Sequence, residues 1–218
     1  GWESRLNITV DTALGTEHIY PHIKKLFEVK PDIEVNLFED ALGGGWEALI
    51  TGKADIAVGL PGQSTGTSAT GTSKFQCVPY LNSKWGFYAA KDHPLSQQDR
   101  VILKADIEPF RNVVIRDSAQ HQAGMSFRLF SNQPVLRVQS MRDKLSAQLA
   151  GLGVGFLPRT LARPLVNQGL LIEKVIANTE INTRYFMAWR RGKKGKALRW
   201  LIEELKTFSK SQENDSLP

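Results

Sequence analysis

Hydrophobic positions alternate from the start of the chain. Leu6, Ile8 and Val10 are separated by Asn7 and Thr9, the period-two signature of a strand with one buried face. Ile19, Tyr20, Ile23, Leu26 and Phe27 then recur at helical spacing, and Pro31 ends that helix. Ile33, Val35 and Leu37 alternate again, and Trp46, Leu49 and Ile50 predict a short helix stopped at Gly52. Ala54 to Leu60 is almost continuously apolar, as a parallel strand covered on both faces should be. The order β-α-β-α-β is half of a Rossmann arrangement.

Pro61 to Ser73 is dense in Gly, Ser and Thr and reads as an exposed loop after a crossover. Strands are predicted at Phe75–Tyr80, Lys84–Ala90, Val113–Arg116 and Val135–Gln139, with a turn at Asp92–Leu95. Ser140-Met-Arg-Asp143 has the form of a capping box, in which the Ser140 hydroxyl accepts from a backbone N–H near Asp143. Met141, Leu145 and Leu149 follow four apart, predicting one buried helical face. Gly151 or Gly153 supplies the positive-φ stop, and Val154, Phe156 and Leu157 form a short buried strand closed by Pro158. Strands at Leu170–Val175 and Tyr185–Trp189 come next. Leu198, Leu201, Ile202, Leu205 and Phe208 mark a terminal amphipathic helix, and the tail from Ser209 is polar and expected to fray.

The fold class expected is therefore α/β, with two Rossmann-like lobes joined by two crossover segments. Lobe I takes residues 1–62 plus 182–210, lobe II takes 63–181, and 211–218 is a polar tail. The crossovers are expected near Leu60–Gly66 and Asn178–Arg184, with the last helix on lobe I.

The 218 residues hold no run of about 18 apolar positions, which excludes a membrane-spanning helix of the usual kind. The chain opens Gly1-Trp2-Glu3 without Met, so a piece of a longer protein is expected. Cys77 is the single cysteine, which rules out an internal disulfide and fits a reducing cytoplasm. The net charge is +6, and much of the excess sits in Arg190-Arg-Gly-Lys-Lys-Gly-Lys196. No groove-reading motif accompanies that run, so it reads as a solvated loop rather than a nucleic-acid surface.

Several local patterns invite chemistry and mostly fail on context. Gly62-Gln-Ser-Thr-Gly66 matches a hydrolase nucleophile elbow, but no helix follows it, and His93 and His121 sit in no matching context. Gly151, Gly153 and Gly155 resemble half a dinucleotide fingerprint with the order of strand and helix reversed, and Gly43–Gly45 lacks the Lys of a P-loop. His18 and His22 are four apart, yet no zincin Glu lies between them and Tyr20-Pro21 interrupts the face, so a structural role is favoured. Cys77 reads as a small core residue. Trp46 is open between core and ligand-site wall.

The passage Ala150-Gly-Leu-Gly-Val-Gly-Phe-Leu-Pro158 resembles the effector-binding domain of LysR-type transcriptional regulators, whose pattern here is a-G-x-G-[IV]-x-x-[LM]-P. Leu6-Asn-Ile-Thr-Val-Asp-Thr12, Lys53-Ala-Asp-Ile-Ala-Val58, Asp92-His-Pro-Leu95 and Gly169-Leu-Leu-Ile172 resemble further passages of the same family, so the likeness covers almost the whole chain. Ala188-Trp-Arg-Arg191 with Gly1-Trp-Glu3 resembles a narrower, enterobacterial-type group.

The resemblance implies a type 2 periplasmic-binding-protein-like fold and a small effector, polar or aromatic with an anionic group, held in the cleft between the lobes. It implies that no cofactor, metal or catalysis is involved. It also implies a homodimer or higher homo-oligomer in the bacterial cytoplasm, and DNA contacted only through a winged helix-turn-helix upstream of this chain. Carried over residue by residue, the ligand-binding positions are Thr12, Ala13 and Leu14 after the first strand, Trp46 in the glycine-rich turn region, Leu60, Pro61 and Gly62 at the first crossover, Arg116 and Ser118 after a lobe II strand, Ser140 and Met141 at a helix start, and Phe186 on the return strand. The runner-up is a free-standing solute-binding protein of a transporter on the same fold. The sequence leaves open the effector's identity, whether it activates or represses, and whether Arg116, Arg137 or Arg184 meets it.

Overall fold

A computed structural model of the chain describes residues 1–62, 74–119 and 132–215. In chain order the described strands are β1 (Arg5–Asp11), β2 (Glu34–Asp40), β3 (Ile56–Leu60), β4 (Phe75–Ala90), β5 (Asn112–Ile115), β6 (Val135–Val138), β7 (Gly155–Pro158), β8 (Leu171–Lys174) and β9 (Ile181–Arg190). The helices are α1 (Tyr20–Val29), α2 (Gly44–Ile50), α3 (Lys104–Ile107), α4 (Met141–Leu149), α5 (Arg159–Asn167) and α6 (Lys196–Asp215). The chain divides into two compact units. The first is Gly1–Asn82, Ser118–Gly124 and Arg184–Pro218; the second is Ser83–Asp117 and Met125–Thr183.

In the first unit the strand order is β2-β1-β3-β9-β4. β1 is parallel to both neighbours, with Ile8 opposite Leu37 and Ile56, while β9 returns antiparallel with Ala188 opposite Ala57. The continuous apolar run of β3 now has its cause, because both faces of this sheet are covered. Ile8, Ile56, Val58, Met187 and Trp189 share a core with Ile23 and Leu26 of α1 and Leu198, Leu201 and Leu205 of α6. The alternate positions Ala57, Leu60 and Ala188 pack with Trp46 and Leu49 of α2 and with Phe75. The register shifts between Val58 and Leu60, where Gly59 has φ 85. A Cβ there would come within 2.6 Å of Leu14, so both the backbone and the space demand glycine.

In the second unit, β4 pairs antiparallel with β7 and β8, setting Phe87 opposite Phe156 and Lys174. β5 and β6 form a parallel pair. Phe87, Ala89, Leu95, Ile102, Ile107, Val154, Phe156 and Ile176 make the core, with Phe87 and Phe156 edge-to-face at 5.1 Å.

The structure differs from the sequence reading in six places. β4 is one 16-residue strand, without the break expected before Lys84. The first passage between units therefore falls at Asn82/Ser83, inside β4, rather than near Leu60–Gly66; the chain rejoins the first unit briefly from Ser118, and the last passage is at Thr183/Arg184. α3 was not expected, nor was α5, which contains Pro164, a residue that argues against a helix. The tail expected to fray from Ser209 is helical to Asp215, and the Ser209 hydroxyl donates to the Tyr80 carbonyl. Ile19, expected within the first helix, ends a 3-10 turn, Thr16–Ile19, that precedes α1.

The sixth difference concerns the buried face of α4, which is Met141, Lys144 and Gln148, whereas Leu145 is half-buried and Leu149 exposed. Two polar side chains displace the leucines because strand carbonyls wait for them. Lys144 Nζ donates to Phe156 O, and Gln148 Nε2 donates to Tyr88 O at 3.0 Å and Gly155 O at 3.1 Å.

Candidate functional site

The carboxyl ends of parallel strands are where open α/β sheets present ligand-binding groups. In the first unit these ends carry three carboxylates. Asp11 closes β1, and Glu39 and Asp40 close β2. Each is engaged. Asp11 Oδ1 accepts the Ala13 N–H at 2.9 Å, and the Asp11 carboxylate also accepts the Leu42 N–H. Leu42 itself has a left-handed conformation, φ 54, which side chains with a Cβ enter at a cost of about 1 kcal/mol. Burial pushes the Asp11 carboxyl up to about 7, opposed by the two backbone N–H bonds and reinforced by Asp40 and Glu39.

Thr12 is buried and donates its hydroxyl to Glu39 at 2.6 Å, while its N–H donates to Asp40 O. Asp40 accepts from Thr9 at 2.5 Å on one oxygen and lies 3.0 Å from the Ser118 hydroxyl on the other. Ser118 Oγ in turn accepts the Ala41 N–H at 2.9 Å. Gly44 makes this possible: a Cβ on it would fall 1.8 Å from Ser118 Oγ and 2.9 Å from Asp40 Oδ1. The glycine-rich turn thus lets two polar side chains approach the first turn of α2.

This geometry corrects part of the carried-over site. The amides of Ala13 and Leu14, two of the carried-over positions, are taken within the chain, one by the Asp11 carboxylate and the other by the Asp11 carbonyl at 3.0 Å. Trp46 is core: it is 7% exposed, stands edge-on to Phe75 at 6.1 Å and donates Nε1–H to Gly62 O. Leu60 is also core, at 1% exposed. Phe186 packs partly buried against the same cluster, and Pro61 and Gly62 are half-buried at the end of β3. Of the carried-over positions in this unit, Ser118 is exposed, Pro61, Gly62 and Phe186 are half-buried, and Thr12 is buried with its hydroxyl on Glu39.

The second unit brings Arg116, Ser140 and Met141 together by a short route, since Arg116 N–H donates to Val138 O at 2.8 Å. Ser140 caps α4, accepting the Asp143 N–H at 3.0 Å. Met141 is buried and Arg116 exposed. Arg137 and Arg184 are exposed on β6 and β9.

The sequence reading missed Asp11, Glu39, Asp40, Lys144 and Gln148. The acids carried a usable signal, because each sits where an apolar strand gives way to a loop. Lys144 and Gln148 carried none. His18 and His22 take the structural role: His18 Nε2 lies 2.6 Å from Tyr80 OH and His22 Nδ1 3.0 Å from Glu204. Among the described residues no cluster of His, Cys, Asp and Glu could hold a metal. Cys77 is half-buried, and burial pushes its thiol up to about 11, away from reactivity. Of the elbow, residues 63–66 lie outside the described residues, as do the rest of the loop 63–73 and His121; His93 is a turn cap, accepting the Leu95 N–H at 3.1 Å.

The sequence profile of the LysR substrate binding domain matches residues 1–210. The chain belongs to this family. It is 30% identical over 205 residues to the uncharacterized HTH-type transcriptional regulator YeeY of Escherichia coli K12, covering 94% of this chain and 65% of that relative's length. Two solved structures share the fold at low identity. The effector-binding domain of QuiR in complex with shikimate has a TM-score of 0.71 and 12% identity over 97% of this chain and 99% of that one. The Synechocystis PCC6803 CcmR regulatory domain in complex with 2-PG has a TM-score of 0.67 and 16% identity, covering 95% and 98%. The fold is thus the type 2 periplasmic-binding-protein-like fold of LysR effector-binding domains. A LysR substrate-binding domain of this kind is a regulatory domain and not an enzyme, which removes the esterase reading, and its relatives are regulators rather than transport proteins. Among the described residues no helix is long and apolar enough to cross a membrane.

Proposed function

We propose that the chain is the effector-sensing part of a bacterial LysR-type transcription regulator acting in the cytoplasm. The match of the LysR substrate binding domain to residues 1–210 carries this reading. DNA is bound through sequence outside this chain, and the effector biases the whole protein only by its differential affinity for one of its conformations.

The effector is a small polar or aromatic molecule with an anionic group. Thr12 and Ser118 supply hydroxyls, Pro61 and Phe186 apolar surface. The acids flanking Thr12 and Ser118 favour hydroxyl or other donor groups of the ligand at that end, not its anion. Arg116 and the α4 start at Ser140 and Met141 suit the anionic group better, through positive charge and the helix dipole. Shikimate and 2-PG, the ligands of the two structural neighbours, are reasonable first compounds.

Calorimetry tests the assignment, with a ligand found by thermal-shift screening. Thr12→Ala, Ser118→Ala and Ser140→Ala should each weaken binding about ten- to a hundredfold, the loss of a hydrogen bond to a charged or strongly polar group. Parent-like affinity in all three variants would remove the site from these positions. In the full-length protein, ligand-dependent operator binding or transcription separates a regulator from a plain solute binder.

A homodimer completes the proposal. Tyr20, Phe27, Val35 and Leu37 line an apolar groove of about 600 Å³ along α1 and the edge strand β2. Leu149 and Leu152 are exposed at the end of α4. A second copy that sets its α4 end into this groove covers both surfaces twice by two-fold symmetry.

A further inference from the structure

The basic turn after β9 does not stand alone in solvent. Together with α6 it lines a cavity of about 480 Å³ within the first unit, a size typical of small-molecule sites. Lys193, Lys194, Arg199 and Lys206 contribute four cations to it, against the single carboxylate of Glu203. Glu203 pairs with Lys206 at 3.2 Å. Neither Lys193 nor Arg199 has a carboxylate within 4.0 Å among the described residues, although both are exposed and able to find one.

Trp189 and Ile202 give the cavity apolar lining. Lys206 Nζ lies over the Trp189 ring, 5.6 Å from its centroid. Trp189 is 2% exposed, and its Nε1–H has no acceptor among the described residues. Indole nitrogen is a donor only, and leaving a buried donor unpaired is costly. The N–H is buried beneath the lining, so the cavity itself offers cations and apolar surface, which suit an anion carried on an apolar body; Lys194 also donates to Gly192 O at 3.2 Å.

We infer that this cavity is a second binding site, for a small oxyanion, carboxylate or phosphate, borne on an apolar body. It shares no residue with the strand-end positions proposed for the effector, so it stands or falls separately from them. A nucleic-acid backbone fits less well: its phosphates recur along a line and need cations spread in a row, whereas these four line one concavity.

The test follows the Trp189 indole N–H resonance, assigned through its backbone connectivity, during titration with phenyl phosphate, phenylacetate and a short duplex DNA. Either aromatic oxyanion should shift it saturably, and whichever is tighter identifies the headgroup. The double variant Arg199→Glu/Lys193→Glu, altered only at exposed positions, should weaken that binding about tenfold or more, while Lys210→Glu leaves it unchanged. Absence of a saturable shift with both oxyanions, equal binding by the charge-reversed variant, or saturation by duplex DNA alone would each overturn the proposal.

Discussion

Gly44 shows how much one missing methyl decides. Its position admits Ser118 Oγ and Asp40 Oδ1 to the start of α2, and a Cβ would land 1.8 Å from the hydroxyl. Gly44→Ala should displace Ser118, break its bonds to Asp40 and Ala41, and destabilise the protein by about 1–3 kcal/mol, read as a lower urea midpoint at constant m. Lys144 is buried without a carboxylate, and burial pushes its ammonium down to about 7. The unfolded chain binds that proton up to about pH 10.4. Between pH 7 and 10 the unfolded state therefore holds more protons on this group, so its penalty is full below pH 7 and fades as pH rises. Lys144→Met removes the charge penalty but also the donor to Phe156 O, so its stability relative to the parent should fall by up to about 4 kcal/mol from pH 6 to pH 10. Equal unfolding midpoints for the two proteins at both pH values would show the charge to be solvated after all. His18 behaves alike at lower pH. Burial, then the neighbouring His22, lowers it to about 4, so stability falls as pH drops from about 6.5 toward 4, by up to about 3 kcal/mol. His18→Gln should flatten that part of the pH–stability curve.

At the scale of elements, the start of α6 is held by residues far away in the chain. Its first amides, Ala197 and Leu198, donate to the Glu3 carboxylate at 2.8 and 3.4 Å, and Lys196 N–H donates to Gly1 O at 3.1 Å. Gly195 leaves the room, since a Cβ on it would overlap Glu3 at 1.9 Å. Glu3→Ala should cost about 0.5–2 kcal/mol, as loss of a helix cap does, with Glu3→Gln costing less because the amide oxygen still accepts. Thermal unfolding of the two variants distinguishes the lost hydrogen bonds from the lost charge. The cap of α4 was legible because Ser140 and Asp143 are three residues apart. The cap of α6 was not, because Glu3 and Ala197 meet only once the first unit has folded. α5 escaped notice for a local reason, Pro164, which removes an i→i−4 hydrogen bond and so argues against a helix in the sequence.

For the whole molecule, the exposed apolar groove along α1 and the leucines ending α4 predict self-association. Sedimentation should show a dimer at tens of micromolar, a range in which interfaces of modest affinity are occupied. Phe27→Glu in the groove or Leu149→Glu at the α4 end should shift it to monomer without changing the unfolding midpoint of the isolated chain. A parent protein that stays monomeric throughout would count against the groove as an interface.

Local pattern was enough for β1 to β3, α1, α2 and the α4–β7 passage, because alternation, helical spacing, caps and turn glycines act within a few residues. It was also enough for the family, because Gly151 to Pro158 and the other matching passages are contiguous. It could not give the continuity of β4, whose two halves are held by β9 and by β7 and β8, partners that arrive 65 or more residues later. Nor could it tell that Trp46 and Leu60 are core, that Lys144 and Gln148 would displace Leu149 from the buried face of α4, or that Asp11 takes the amide offered to a ligand. Each of those depends on which distant backbone group comes within hydrogen-bonding reach. Side-chain period alone says only which positions share a face; what that face meets is decided when the chain closes on itself.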